Sequence, residues 1–199
     1  LVGTGLVLLA DMFSIAGGTS LDFRSTPAST GIYLLLAAGL RLGVSSLYLP
    51  YRKDNVVRRG FFTTLRLVSS GASLALLARI PSSALESTIT PYLLILSAIA
   101  ALYAGWMWLR SSDEILGQPF WILGLASLSI SESLRGNPVG STGWGVALIF
   151  CGATLFLFSA RRRSILWLPF LMLWVLSALP FSLTASSWQT DHLSWYFII

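Results

Sequence analysis

GIYLLLAAGLRLGVSSLYLP (residues 31–50) and GFFTTLRLVSSGASLALLARI (residues 60–80) decide how this chain is read. Each is close to the roughly 20 apolar residues that cross a bilayer. Each also carries one arginine in its interior, Arg41 in the first and Arg66 in the second. A guanidinium cannot readily shed its proton, so it cannot escape lipid by neutralising. At mid-bilayer it costs at least ~2.5–3.5 kcal/mol on insertion scales. Both arginines are therefore expected to face protein or water and to mark a polar interior.

The rest of the chain agrees with a membrane setting. It is 55% hydrophobic and 11% charged, with a mean hydropathy of +0.75. An ordinary soluble domain carries about 25% charged residues. Further apolar blocks recur on both sides of the two quoted stretches. Read together, they give an all-α polytopic bundle of about seven spans. Helix A covers about 1–16, B 31–50, C 60–80, D 89–110, E 119–134, F 142–160 and G 164–184, with another span opening near His192. Pro169 and Pro180 fall within helix G. A proline frees a carbonyl and kinks a helix, so G is expected to break near Pro180. Residue 1 lies inside an apolar run, and Tyr196-Phe197-Ile198-Ile199 reads as the start of a span. The expectation is one transmembrane domain over 1–199, truncated at both ends.

Turn residues punctuate the blocks at Gly17-Gly18, Ser25-Thr26-Pro27, Pro81-Ser82-Ser83 and Gly136-Asn137-Pro138. Ser29-Thr30-Gly31 and Ser87-Thr88 offer caps before helices B and D. Lys and Arg sort by side. Arg52, Lys53, Arg58, Arg59, Arg110 and Arg161 to Arg163 fall in alternate loops; Arg24, Arg79 and Arg135 fall in the others. The positive-inside rule places loops 51–60, 110–118 and 161–163 in the cytoplasm, in an integral membrane protein of a bacterial plasma membrane. The net charge of +5 is this loop bias. Nucleic-acid binding would need a basic face with aromatics on a soluble module, and none is present.

Candidate ion-path residues are few. Two roles are open to Arg41: a fixed charge on an ion route, or a guanidinium satisfied by backbone carbonyls at a helix seam. Arg66 has the same first role, or snorkels to the nearer interface. Asp11 falls late in helix A, as an ion-path group or an outer cap. Glu132 sits at the end of helix E near Arg135, as an ion-path group or an interfacial acid. The freed carbonyls at Pro180 are a fifth candidate. Asp113 and Glu114 read as a solvated pair with Arg110, and His192 as a loop residue. Cys151 has no partner for a disulfide. The sequence holds no metal-ligand cluster, phosphate loop or nucleophile–base set, so no catalytic residue, cofactor or metal is expected in this chain.

The order of these features resembles the antiporter-like membrane subunits of respiratory NADH:quinone oxidoreductase (complex I) and of Mrp-type cation/proton antiporters. Leu35-Leu36-Ala37-Ala38-Gly39-Leu40-Arg41-Leu42-Gly43, running on to Leu49-Pro50, is similar to the family's basic helix, with Arg41 where the family has lysine. Leu76-Leu77-Ala78-Arg79 matches a Leu-Leu-Ala-Arg helix end. Trp108-Leu109-Arg110-Ser111-Ser112-Asp113-Glu114 resembles the family's Asp-Lys turn, with Glu114 in place of lysine. Ser177-Ala178-Leu179-Pro180-Phe181 is similar to its broken helix. The resemblance implies a proton- or Na+-translocating subunit with other membrane subunits and the lipid bilayer as partners. Redox chemistry would then reside in another chain.

The sequence departs from the family at its carriers. The helix C lysine falls near Ser70 or Gly71, the helix F carriers within Phe150-Cys151-Gly152-Ala153, and the key glutamate before residue 1. A structural subunit of the same fold that has lost conduction is the alternative. An unrelated transporter or membrane enzyme would need longer, more acidic loops than these.

Overall fold

The computed structural model describes residues 2–17, 28–44, 59–78, 80, 89–112, 114–158, 167–177 and 179–189. The described residues are all-helical, in the order α1 (Val2–Ala16), α2 (Ala28–Leu42), α3 (Arg59–Leu77), α4 (Thr90–Leu109), α5 (Glu114–Leu134), α6 (Pro138–Phe158), α7 (Trp167–Val175) and α8 (Ala185–Gln189). Among them, two segments are long and apolar enough to cross a bilayer, Thr90–Leu109 and Pro138–Phe156. The helices α1 and α2 have 15 residues each, about 22 Å of rise. The helix α5 has 21 residues but carries Gln118, four serines and Glu132 along its length.

Several boundaries differ from the sequence reading, each for a local reason. The helix α2 starts at Ala28, so Ser29 and Thr30 lie inside its first turn and do not cap it. It closes at Leu42, where Gly43 takes φ 81°. That left-handed residue stops the helix at low cost because glycine has no Cβ. Arg41 therefore sits in the last turn of α2 and not in the middle of a span. Residues 45–50, the rest of the expected helix B, lie outside the described residues. So do Ser87 and Thr88, loop residues 51–58, Asp113, 161–163 and the span near His192. Arg59 and Gly60 of the expected 51–60 loop already belong to α3.

The helix α5 starts at Glu114, five residues before the expected Pro119. Pro119 therefore lies inside α5, in its second turn, where it removes the amide that would bond to the carbonyl four residues back. The helix α6 starts at Pro138, before the expected Thr142. Asn137 Oδ1 accepts from Gly140 N–H at 3.0 Å, with proline at the first helical position. Gly136 at φ 74° turns the chain out of α5 just before it.

The helix α6 holds the centre of the bundle and packs against α3, α5, α7 and α8, while α4 lies on α5 and α1 on α2. Small residues set the spacing. A Cβ on Gly71 would lie 2.9 Å from Ile149 Cδ1, and one on Gly152 would lie 2.9 Å from Leu67 Cδ2. Those pairings make α3 and α6 antiparallel. One apolar core runs between them through Leu74, Leu77, Leu123, Ala126, Ile130 and Leu148. Outward faces are apolar too. On α4, Ile95, Ile99, Leu102 and Leu109 are exposed, and 17% of that span is buried against 50% for the α6 span.

The expected break in helix G is present. The helix α7 ends at Val175 and helix resumes at Ala185, with Pro180 in turn structure and Phe181 at φ 67° between them. Thr184 Oγ1 donates to the carbonyls of Val175 (3.2 Å) and Ser177 (3.1 Å), and Ser182 Oγ donates to Ser177 O at 2.6 Å. Hydroxyls thus take up carbonyls that the broken helix leaves without amide donors.

Candidate functional site

Two buried polar groups stand near opposite ends of α5. The first surrounds Glu132. This residue is 5% exposed. Oε2 accepts from Asn137 Nδ2 at 2.8 Å, and Oε1 lies 3.5 Å from Arg135 Nη1. Arg135 is itself half-exposed, so the pair is anchored in protein on one side and open on the other. The carboxylate also lies at the first turn of α6, whose amide dipoles favour negative charge.

The break after α7 completes this group. It lets α8 dock on the Gly140 and Gly143 face of α6, with Leu183 O seated against Gly143 and Trp144 edge-to-face with Trp188. Ser187 arrives buried, and its Oγ has no hydrogen-bond partner among the described residues. A Cβ on Gly140 would stand 2.7 Å from Glu132 Oε2, 2.8 Å from Ser187 Oγ and 2.5 Å from Asn137 Nδ2. All three side chains converge on the bare Cα of one glycine. One residue further into α6, Ser141 O accepts from Ser129 Oγ at 2.8 Å, and the two hydroxyls lie 3.0 Å apart. A carboxylate flanked by hydroxyls and an amide can hold a proton, or bind a water or a small cation with its oxygens.

The second group surrounds Arg66, which is 3% exposed. It faces the inside of the helix bundle, towards α5. Its Nη1 donates to Gln118 Oε1 at 3.4 Å across the α3–α5 seam. Trp121, one turn further along α5, packs against Trp108 (centroids 5.2 Å apart) and Phe156 (6.4 Å). Its Nε1 points towards Gly152 of α6, 3.6 Å from where a Cβ there would be. Gln118 Nε2 and Trp121 Nε1 are both buried with no hydrogen-bond partner among the described residues.

Gln118 and Glu132 are fourteen residues apart, about 21 Å along α5. Between them the packing is the apolar core of Ile122, Leu125 and Ala126 with Leu67, Leu74 and Leu148.

The remaining candidates lie elsewhere. Arg41 is exposed, and its stem crosses α1 at Gly3, where a Cβ would meet Arg41 Cγ at 2.7 Å. Its charge suits the carbonyl end of α2. Asp11 is partly buried on α1. It is eight residues from Gly3, about 12 Å along the helix, so Asp11 and Arg41 are not brought together. Pro180 and Glu132 are linked, because the break at Pro180 is what delivers Ser187 to the carboxylate. No protein-family model, curated protein or solved structure matches this chain.

The sequence reading passed over Gln118, Trp121, Asn137 and Ser187. Gln118 and Trp121 had a signal: polar atoms three residues apart on one face of a helix, one turn repeating. Asn137 had one as well, a capping residue followed by proline. Ser187 had none, since only the docking of α8 gives it a role.

Proposed function

We propose that this chain is part of a polytopic bundle of about seven spans in a bacterial plasma membrane. In this reading it is a subunit like the antiporter-like subunits of NADH:quinone oxidoreductase and Mrp-type antiporters, which moves protons or Na+ alongside other membrane subunits. The outward apolar faces of α4 and α6 support the membrane setting, since few soluble monomers expose contiguous apolar surface on that scale. The observation that carries the transport reading is Glu132. A carboxylate this deeply buried in a membrane bundle is costly, and such residues commonly mark ion or proton routes. Protons or cations approach it from the α5–α6 turn, where Arg135 is open to the outside. Arg66 cannot relay a proton, because it never gives one up.

The test uses the full-length assembly in proteoliposomes with a pH-sensitive dye inside. Glu132→Gln keeps the shape and the Asn137 contact but removes the charge, and is expected to abolish most proton flux. Arg41→Ala, outside the route, is expected to leave flux near wild type. Equal flux in Glu132→Gln and wild type would remove Glu132 from the path. It would favour the second reading, a structural subunit of the same fold without conduction. The apolar layer of Leu67, Leu74, Leu125 and Leu148 between the two polar groups supports that reading.

A further inference from the structure

Ser187 reaches the Glu132 group without bonding to it. The residue is 8% exposed, and its Oγ has no hydrogen-bond partner among the described residues. A buried hydroxyl left unbonded is unfavourable, and a strong acceptor is close by. The point where a Cβ on Gly140 would sit lies 2.8 Å from Ser187 Oγ and 2.7 Å from Glu132 Oε2. The two oxygens are then within about 5.5 Å, and a hydroxyl–carboxylate bond spans about 2.5–2.7 Å, so a shift of α8 by no more than about 3 Å closes it.

The chain around α8 suits a shift of that size. The helix has five residues and rests on α6. It joins α7 through the break, where Thr184 and Ser182 hydroxyls bond carbonyls of Val175 and Ser177 in place of a helical ladder. Phe181 in that break has φ 67°, a left-handed backbone that is costly for a residue with a Cβ. Its side chain is 92% exposed, so tight packing does not hold it there. Strained residues of this kind cluster in switch segments. Charge singles out what α8 can respond to. The helices α6, α7 and α8 carry no Asp, Glu, Lys, Arg or His, and Arg135, on α5 itself, is the charged residue paired with Glu132.

We infer that α8 is a latch on Glu132, closed while the carboxylate is charged and open once a proton or cation occupies it. Closed, Ser187 Oγ donates to the carboxylate, and such a charge-assisted bond is stronger than one between neutral groups. Open, as in this structure, the hydroxyl is unbonded and α8 is held by its packing on α6. An ion at Glu132 shifts the equilibrium because it removes the charge that favours the closed form alone. The latch deepens the transport reading and rests on it for the source of the charge change: each uptake and release of an ion at Glu132 moves α8.

The experiment measures amide exchange across residues 182–189 by mass spectrometry, in the full-length assembly in proteoliposomes. Wild type is compared with Ser187→Ala, Glu132→Gln and the double variant. Each single change removes one side of the latch and is expected to speed exchange across 182–189 by about 3- to 10-fold. The double variant is expected to exchange no faster than either single one, because both break the same bond. Exchange across 92–108 of α4 is expected to stay at the wild-type rate throughout. A hydroxyl with no part in a latch gives the opposite sign: its removal leaves exchange unchanged or slows it. That result in Ser187→Ala overturns the inference, as do effects of the two single changes that add in the double variant. Should Glu132→Gln fail to assemble, Ser187→Ala carries the test by its sign. Proton flux is read in the same vesicles. Flux lost in Glu132→Gln with unchanged exchange at α8 overturns the latch and leaves the transport reading standing. Faster exchange with flux intact supports the latch and removes Glu132 from the ion path.

Discussion

Gly140 has no side chain, and that is why Glu132, Asn137 and Ser187 can meet. A methyl group at this position would stand within 2.8 Å of polar atoms on all three residues. Asn137 caps α6 and Glu132 is held by it, so neither can retreat without losing a bond. Gly140→Ala is expected to destabilise the detergent-solubilised protein by about 1–3 kcal/mol, read from the denaturant midpoint. Gly5, where nothing lies within 4 Å of an added Cβ, is the control: Gly5→Ala is expected to leave the midpoint unchanged or slightly raised. Asn137→Ala removes the cap and is expected to cost about 1 kcal/mol in the same assay, with Asn137→Asp restoring the cap but placing a second carboxylate beside Glu132. A midpoint in Asn137→Asp above that of wild type would contradict this arrangement.

At the scale of elements, the break between α7 and α8 decides the site. Pro180 announces it in the sequence, but the extent of the break does not follow from one proline. It runs from Val175 to Ala185 because Ser182 and Thr184 turn back on carbonyls ahead of them, a match that depends on tertiary position. Thr184→Val keeps the volume and removes both bonds. It is expected to cost about 1–2 kcal/mol and to speed amide exchange across 176–187 more than in α5. Uniform exchange throughout the bundle would count against a locally held break. The same contrast explains what the sequence made legible. Helix type, the inward Arg66 and the break at Pro180 follow from hydropathy, charge and proline chemistry, which act locally. The burial of Glu132 depends on how neighbouring helices pack. So does the meeting of Glu132 with Ser187, 55 positions later in the chain.

At the scale of the whole molecule, the described residues bury polar groups beside an apolar core and leave apolar side chains exposed. Arg66, Gln118, Glu132 and a run of serines are buried, while Leu102, Leu109, Phe170 and Leu173 are exposed. In water such exposed apolar surface would drive association through the hydrophobic effect. In a bilayer it is stable, since lipid covers the apolar faces and the polar groups find one another. The account therefore depends on lipid lying against α4. Leu102 tests this directly, because its side chain is 77% exposed on that helix. In a Cys151→Ser background, Leu102→Cys and Ser112→Cys are each placed in the full-length protein. Both are treated with a membrane-impermeant maleimide in inside-out vesicles. The expected result is fast labelling at position 112 and none at 102 until detergent dissolves the membrane. Labelling of position 102 in intact vesicles at the rate of position 112 would show water against α4 and contradict the membrane bundle.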